Sequence, residues 1–230
     1  MTSANDTSDR KFWGHIGLRF PGATHTKKFP ITAGTVHKLR LKMYWGQGGS
    51  QWTAVETLNN RVLVFQPKQM QRIWLLDSAS EGPTDDFALE TTMADYAGIP
   101  TELYRLMAQW ADGGDDFERN QSAAKREAAL TLIKRGGFSE RPQDLRALLR
   151  HTVIHFVDGT TTSYEADRQN LDNIVELGED SNTEIVDISA SKGDECYCPV
   201  DMLRMIDIPL IELESGQSET QVGFDEEVVA

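Results

Sequence analysis

Polar and apolar residues alternate along two early stretches of the chain. In the first stretch the even-numbered positions Phe12, Ile16, Leu18 and Phe20 are apolar, and the odd-numbered positions Lys11, His15 and Arg19 are basic. The second stretch repeats this arrangement: Leu39, Leu41, Met43 and Trp45 against Lys38, Arg40 and Lys42. A period of two is typical of a half-buried β-strand. The pattern therefore predicts two strands, punctuated by loops at Pro21-Gly22, Pro30 and residues 46–49.

A strand–turn–strand pattern then occurs twice. Trp52–Gln66 aligns with His151–Glu165, so that position 52 meets position 151 at an offset of 99 residues. At that offset Asn59-Asn60 aligns with Asp158-Gly159. Both dipeptides tolerate the positive φ that a tight hairpin turn requires. Each segment is therefore predicted to form a β-hairpin.

The same offset aligns the far ends of the two copies, Pro100–Met107 and Pro199–Ile206. Further strand-like runs lie between the ends: Ile73–Leu76 and Phe87–Glu90 in the first copy, Ile174–Leu177 and Glu184–Ile188 in the second. Equal spacing at both ends indicates an internal duplication. Four or five short strands closed by a turn of helix predict a small barrel, SH3-like or Sm-like by analogy of shape.

A helical hairpin is predicted between the two copies. Asp115 or Asp116 can cap a helix that runs through Ala123 and Ile133 and stops at Gly136-Gly137, and a second short helix follows near Pro142–Arg150. The fold class predicted is mainly β with a helical insert (α+β), with two tandem barrel-like modules related by duplication. We predict five divisions: a disordered N-terminus at 1–10, a first module with basic strands at 11–111, the helical linker at 112–150, an acidic second module at 151–212 and an acidic mobile tail at 213–230.

Charge is distributed unevenly along the 230 residues, whose net charge is −13. Eight cations and no Asp or Glu lie between Arg10 and Val55, whereas Arg168, Lys192 and Arg204 are the only Lys or Arg from residue 151 onward. The overall acidity argues against general DNA coating. Opposite charges at the two ends would also let copies of the chain attract each other, so self-association is expected.

The composition limits where in the cell we expect the protein. The two cysteines provide no disulfide framework, and no apolar run is long enough to cross a membrane. Residues 1–9 lack the pattern of a signal peptide. We therefore expect a cytoplasmic protein without a membrane partner.

The first candidate site is the basic strand around Lys38, Arg40 and Lys42. Alternate residues on one strand stand about 6.6–6.8 Å apart, close to the spacing of phosphates in an extended nucleic-acid strand. Other cations could extend the site and aromatic rings could stack on bases: Arg19, Lys27 and Lys28, with Trp13 and Tyr44. Two simpler interpretations are a solvated edge strand and a docking surface for the acidic half of the protein itself.

The second candidate site is acidic and is expected to bind a protein partner with a basic surface. Its residues belong to the second copy: Glu176, Glu179, Asp180, Asp187, Asp194 and Glu195. Charge of this kind steers association with a basic protein. The expected function is a non-enzymatic binding, scaffold or regulatory protein, for example an acidic inhibitor or adaptor. The alternatives are a nucleic-acid- or nucleotide-binding protein that uses the basic strand, and an enzyme of unrecognised type.

Motifs for catalysis and metal binding are absent from the sequence. It has no GxSxG, HExxH or paired CxxC motif, so no catalytic residue, cofactor or metal is predicted. Cys196 and Cys198 could contact one ion, but His151 and His155 would lie about 13 Å apart on a strand and could not share it. Arg141, Arg146 and Arg150 could face DNA if the two helices formed a helix-turn-helix, although a packed linker explains them as well.

Overall fold

The structure is a computed structural model that describes residues 12–45, 51–77, 87–89, 101–112, 122–135, 142–166, 168–180, 183–189 and 196–214. The described strands are, in order, β1 Phe12–Arg19, β2 Thr26–Thr32, β3 Thr53–Glu56, β4 Arg61–Phe65, β5 Arg72–Asp77, β6 Phe87–Leu89, β7 Thr152–Phe156, β8 Thr161–Tyr164, β9 Ile185–Asp187, β10 Tyr197–Pro199 and β11 Leu203–Pro209. The described helices are α1 Ala33–Trp45, α2 Thr101–Ala111, α3 Ala123–Arg135, α4 Pro142–Arg150, α5 Arg168–Asp180 and α6 Leu210–Glu214. Short 3₁₀ turns lie at Pro67–Gln69 and Val200–Met202.

A five-stranded antiparallel sheet forms the centre of the molecule, in the order β3-β4-β11-β7-β8. The last strand, β11, lies in the middle and pairs with β4 on one side and β7 on the other. Its residues are mostly buried, as are all five residues of β4. A strand buried on both faces requires a near-continuous apolar run, and Val62–Phe65 supplies one.

A second sheet covers one face of the central sheet. Its order is β5-β1-β2-β6, with β6 parallel to β2 and the other pairs antiparallel. Apolar side chains of both sheets and of α1 form one buried cluster: Ile16, Leu18, Phe29, Ile31, Val36, Leu39, Val55, Leu63, Phe65, Met70 and Met205. Burial of each such side chain contributes about 1.5–3 kcal/mol.

Helix α5 covers the opposite face of the central sheet. Leu171, Ile174 and Leu177 recur at a spacing of three residues and lie buried against Val64 and Ile206. The two-stranded ribbon β9–β10 belongs to the same core through its inward residues, which are described below. Helices α2, α3 and α4 build a separate buried cluster, which includes Ile211 of α6.

The predicted strand at residues 38–45 is wrong, because this segment is part of helix α1. Thr32 caps the helix, since its Oγ1 accepts a hydrogen bond from the Thr35 amide at 3.1 Å. Val36 and Leu39 are buried at helical spacing, while Leu41 is only half-buried. The strict alternation after Leu39 suggested a strand, but it is equally compatible with a helix that touches the core only near its first turns.

The two predicted hairpins are confirmed. β3–β4 and β7–β8 pair in antiparallel fashion, and the second residue of each turn dipeptide has positive φ, Asn60 at 63° and Gly159 at 91°. In the second turn Asp158 Oδ1 accepts hydrogen bonds from the amide and hydroxyl of Thr160.

Beyond the hairpins the two copies follow different paths, and no closed barrel forms in the described part of the chain. Residues 174–177, predicted as a strand, lie in helix α5, whereas residues 75–77, which align with 174–176 at the offset of 99, lie in strand β5. Residues 101–107 are helical, whereas 203–206 belong to strand β11. The barrel prediction is therefore wrong, because both hairpins join one open sheet through β11 and each face of that sheet is covered by other elements. The fold is mixed α+β.

The domain boundaries that we predicted from the sequence stay a prediction. Helices α3 and α4 are present within the predicted linker. Among the helices that the structure describes, none is both long and apolar enough to cross a membrane.

Candidate functional site

The ribbon β9–β10 presents one face to the core and the other outward. Tyr197 pairs with Asp187, and Pro199 pairs with Ile185. Paired residues in antiparallel strands share a face, and so do residues two apart. The intervening Val186 and Cys198 are buried. Ile185, Asp187, Tyr197 and Pro199 therefore share the outward face.

Large apolar side chains are exposed on this outward face. Ile185 is 57% exposed and Tyr197 60%, and Met202 in the following 3₁₀ turn is 44% exposed. They are three of only six large apolar side chains exposed in the described part of the chain. Acidic residues accompany them, since Glu184 and Asp201 are exposed and Asp187 is half-buried. We name this set the ribbon surface: Glu184, Ile185, Asp187, Tyr197, Pro199, Asp201 and Met202.

Hydrogen bonds hold the ribbon in shape and attach it to the central sheet. Asp187 accepts hydrogen bonds from the amide and the hydroxyl of Ser189, and the Ser189 hydroxyl accepts one from the Cys196 amide at 2.9 Å. Gln66 on the central sheet donates to the carbonyl oxygens of Val200 and Leu203 at 3.0 and 3.1 Å. The ribbon surface therefore stands on a fixed support, which lowers the entropy cost of binding.

Two titratable side chains lie beneath the ribbon. Burial raises the pKa of Tyr164, and the nearby Cys196, Asp187 and Cys198 raise it further. Burial also raises the pKa of the Cys198 thiol, with smaller effects from Cys196 and Asp201. The Tyr164 hydroxyl is buried without a hydrogen-bond partner in the described structure. This environment is apolar and favours neutral side chains.

The acidic residues predicted to bind a partner are only partly gathered here. Asp187 lies on the ribbon surface, while Glu176 is exposed on α5. Glu179 and Asp180 end α5 with side chains outside the described structure, and Asp194 and Glu195 lie outside the described residues altogether. Sequence reasoning missed the apolar members of the surface. One sequence signal could have found them. Val186 follows Ile185, and Cys198 lies between Tyr197 and Pro199, so in each strand a buried residue alternates with outward ones.

The predicted basic residues are divided among three places. Arg19 and Lys28 lie on the face of the second sheet that points away from the central sheet. Arg72 pairs directly with Arg19 there, and Trp74 pairs with Gly17, which in turn pairs with Lys28. Burial, and then the charge of Lys28, lower the pKa of His15 on the same face. We name this set the basic sheet face: His15, Arg19, Lys28, Arg72 and Trp74.

The other predicted cations lie elsewhere. Lys27 is on the opposite face of the same sheet, since it pairs with the inward-facing Leu18. Lys38, Arg40 and Lys42 are on α1, where the helix turns Arg40 away from the two lysines. Arg40 lies over the Trp13 ring at 5.7 Å, and Tyr44 projects from the end of the helix. The continuous basic strand expected from the sequence therefore does not form.

A small cleft lies between the two large sheets and α4. Its cavity of about 120 Å³ is lined by Lys27, Phe29, Arg61, Ala147, Leu148, Val153, His155 and Asp207. Small-molecule sites typically measure ~300–1,000 Å³. Arg61 already engages the one carboxylate there, with Nε 2.6 Å from Asp207 Oδ1. The cleft therefore provides little room and no uncommitted acid for chemistry on a ligand.

Two of the three arginines suggested for a helix-turn-helix form intramolecular ion pairs. Arg146 Nε lies 2.6 Å from Glu165 Oε1, and Arg150 contacts Glu212 at 2.7 Å and Asp112 at 2.8 Å. Arg141 lies outside the described residues. These pairs join α4 to the residue that follows β8, to α6 and to the residue that follows α2.

No three His, Cys, Asp or Glu side chains within the described residues are placed to hold a metal ion. Cys198 faces the core beneath α5, whereas His155 faces the second sheet and packs on Phe20 at 5.0 Å. His151 contacts the Ser163 hydroxyl instead. Neither histidine is therefore placed beside the buried thiol.

Comparison with known proteins gives no relative: no protein-family model, no curated protein and no solved structure matches the chain.

Proposed function

We propose that the chain is a non-enzymatic binding protein, acting as an adaptor or inhibitor, that engages a basic partner protein through the ribbon surface. One observation carries the proposal: exposed Ile185, Tyr197 and Met202 lie on one supported element among acidic side chains. Single exposed apolar residues are common, but a group of large ones on one element is typical of a surface that a partner covers. Aromatic residues and Met are enriched in protein interfaces, so these residues suit the centre of one.

Charge defines the partner. Glu184, Asp187 and Asp201 border the apolar centre, and the whole chain has a net charge of −13. A complementary surface has an apolar recess with Lys or Arg at its rim. Long-range attraction would accelerate association at low salt and weaken as salt screens the charges.

The experiment compares three immobilised chains as baits in an extract of the native source. The baits are the natural chain, the Ile185→Ser/Tyr197→Ser double variant and a Phe12→Ser control. Phe12 is an exposed apolar residue outside the ribbon, so its replacement also removes apolar surface but leaves the ribbon surface intact. The proposal expects a basic protein that the natural chain and the control retain, that the double variant loses, and that salt elutes. Equal capture by all three baits, or none by any, contradicts it.

A second candidate function, nucleic-acid binding, is favoured by the basic sheet face. Arg19, Arg72 and Lys28 lie on one face of the sheet. Such a group of cations could follow a nucleic-acid backbone, and Trp74 could stack on a base. We also propose a cytoplasmic location for the chain. A common origin of the two hairpins is a further proposal, which their equal spacing and matching turns support.

Oligonucleotide binding separates the second candidate from the first. Single-stranded and duplex oligonucleotides are titrated at increasing salt against the natural chain, a Lys28→Glu/Arg72→Glu variant and a Lys68→Glu/Lys134→Glu control. Lys68 and Lys134 are exposed and lie on other elements. Nucleic-acid binding predicts loss only in the first variant and affinity that falls as salt rises. Absence of binding at low salt removes this candidate. An enzyme of unrecognised type remains the third alternative, to which the small cleft gives no support.

A further inference from the structure

Helix α1 carries a second exposed surface that is basic and apolar. Tyr44 is 83% exposed, and Met43 beside it is also exposed. His37, Leu41 and Tyr44 follow the helical spacing i, i+4, i+7 and so share one side, with Arg40 next to them. His37, Lys38 and Arg40 are exposed, and the helix contains no acidic residue. We name the residues that share this side the helix surface: His37, Arg40, Leu41 and Tyr44.

The helix surface and the ribbon surface complement each other in chemistry. Together they account for four of the six exposed large apolar side chains of the described structure: Tyr44, Ile185, Tyr197 and Met202. The helix surface has the cation Arg40 beside its aromatic residue, and the ribbon surface has exposed carboxylates among its apolar residues.

We propose that a second copy of this chain is a partner of the ribbon surface, and that it docks through its helix surface. The inference rests on the proposed function, because it assigns an occupant to the same site. Both surfaces are exposed within one chain, so they do not cover each other there. Their contact must therefore join two molecules.

The geometry of such a contact has a consequence for assembly. The contact is heterologous, because two different surfaces meet. Each dimer therefore retains one open helix surface and one open ribbon surface. Association then continues into short chains or closes into a ring. A single short helix on a narrow ribbon buries little area, so the contact is weak.

The test uses the purified full chain and two variants that each remove one surface, Tyr44→Ser and Tyr197→Ser. Sedimentation velocity is recorded over a concentration series at moderate salt, which screens the repulsion between two chains of net charge −13. The natural chain is expected to form dimers and larger species as its concentration rises. Each variant alone should remain monomeric, because one half of the contact is missing. Phe12→Ser is the control and should associate like the natural chain.

Mixing the two variants gives the decisive outcome. Tyr44→Ser retains its ribbon surface and Tyr197→Ser retains its helix surface, so the mixture should form a 1:1 dimer that grows no further. A natural chain that stays monomeric at every concentration overturns the inference, and so does a mixture of variants that stays monomeric. Circular dichroism confirms that both variants are folded, as expected for exposed positions.

The failure of this inference is distinguishable from failure of the proposed function. A monomeric natural chain that still captures a basic protein, in a way that requires Ile185 and Tyr197, removes self-association and leaves the ribbon surface as a binding site. If the ribbon variants retain both the capture of a basic protein and self-association, then the proposed function and the self-association inference are both wrong.

Discussion

Arg61 and Asp207 form a buried ion pair between the adjacent strands β4 and β11, although 146 positions separate them in the sequence. Their side chains are only 5% and 14% exposed. Arg61 also donates hydrogen bonds to the carbonyl oxygens of Leu148 and His151 at 2.9 and 3.2 Å. One guanidinium therefore ties the two middle strands of the central sheet to the C-terminal end of α4.

Replacing Arg61 should destabilise the fold strongly. Arg61→Ala leaves the Asp207 carboxylate buried without its cation, which typically costs about 3–5 kcal/mol. Denaturation by urea measures the loss. Arg146→Ala is the matched control, because Arg146 also pairs with a carboxylate at 2.6 Å but is 42% exposed. An exposed pair contributes about 1 kcal/mol or less. Equal losses in the two variants would show that burial of the Arg61 pair has no energetic consequence.

Gly14 is required by the close approach of two strands. A Cβ atom added at Gly14 would lie 2.0 Å from the Leu76 carbonyl oxygen and 2.7 Å from the Asp77 Cα. These are backbone atoms that cannot rotate away, so Gly14→Ala should destabilise the chain by about 3 kcal/mol. Gly34→Ala is the control, because only Thr32 Oγ1 at 3.7 Å is near its new Cβ. This change within α1 should instead stabilise by about 0.5–1 kcal/mol. Thermal unfolding midpoints that move in the same direction would disprove the prediction.

Tyr164→Phe should stabilise the protein. The change removes a buried hydroxyl that has no hydrogen-bond partner in the described structure, and such a group costs about 1–3 kcal/mol. We expect a gain of about 1 kcal/mol in urea denaturation, with Tyr197→Phe on the exposed ribbon surface nearly neutral. A loss of stability on Tyr164→Phe would reveal a hydrogen bond that the account lacks.

The same residue predicts alkaline behaviour. Burial raises the pKa of Tyr164 in the folded protein, while an unfolded chain ionises its tyrosines near about 10. The folded state then holds the proton at a pH at which the unfolded state releases it. Stability therefore falls as pH rises above about 10. Tyr164→Phe should lessen this fall, which a series of urea midpoints from neutral to alkaline pH would record.

The two cysteines should react at different rates. Cys196 is exposed, whereas Cys198 is buried and the apolar surroundings raise the pKa of its thiol. Since the thiolate is the nucleophile, Cys198 should react more slowly with a disulfide reagent at neutral pH. Stopped-flow labelling should show one fast and one slow thiol, and Cys196→Ser should abolish the fast phase. A single fast phase for both thiols would contradict the burial of Cys198.

Local rules were sufficient for part of the fold. Asn59-Asn60 and Asp158-Gly159 specify the two hairpins, because positive φ is needed there and few residue types supply it. Residues 123–135 and 142–150 are helical as expected. The pairing of β11 between β4 and β7 could not be predicted, because it depends on contacts between residues far apart in the sequence. The repeat suggested separate modules, whereas tertiary packing united the hairpins in one sheet.

The errors at α1 and α5 have different origins. The segment of α1 alternates polar and apolar residues as a strand does, whereas Ile174–Leu177 is a short run that fits a helix or a strand. In both cases only the tertiary core selects between helix and strand.

The candidate site was only half predictable from the sequence. Charge is visible along a chain, so an acidic binding region could be expected in the second half. Exposure is not visible, because Tyr197 and Tyr104 are the same residue type, yet one lies on the ribbon surface and the other is 2% exposed. The apolar centre of the ribbon surface therefore emerged only from the structure.

The most direct test of the account places a photo-crosslinker in the ribbon surface inside the native host. The variant Tyr197→p-benzoylphenylalanine is irradiated in cells beside Phe12→p-benzoylphenylalanine, which carries the same group at an exposed position outside the ribbon. A discrete covalent protein adduct is expected at position 197 and not at position 12, and its yield in extracts should fall as salt rises. No adduct at position 197, or the same adducts at both positions, would contradict the claim that this surface binds a protein.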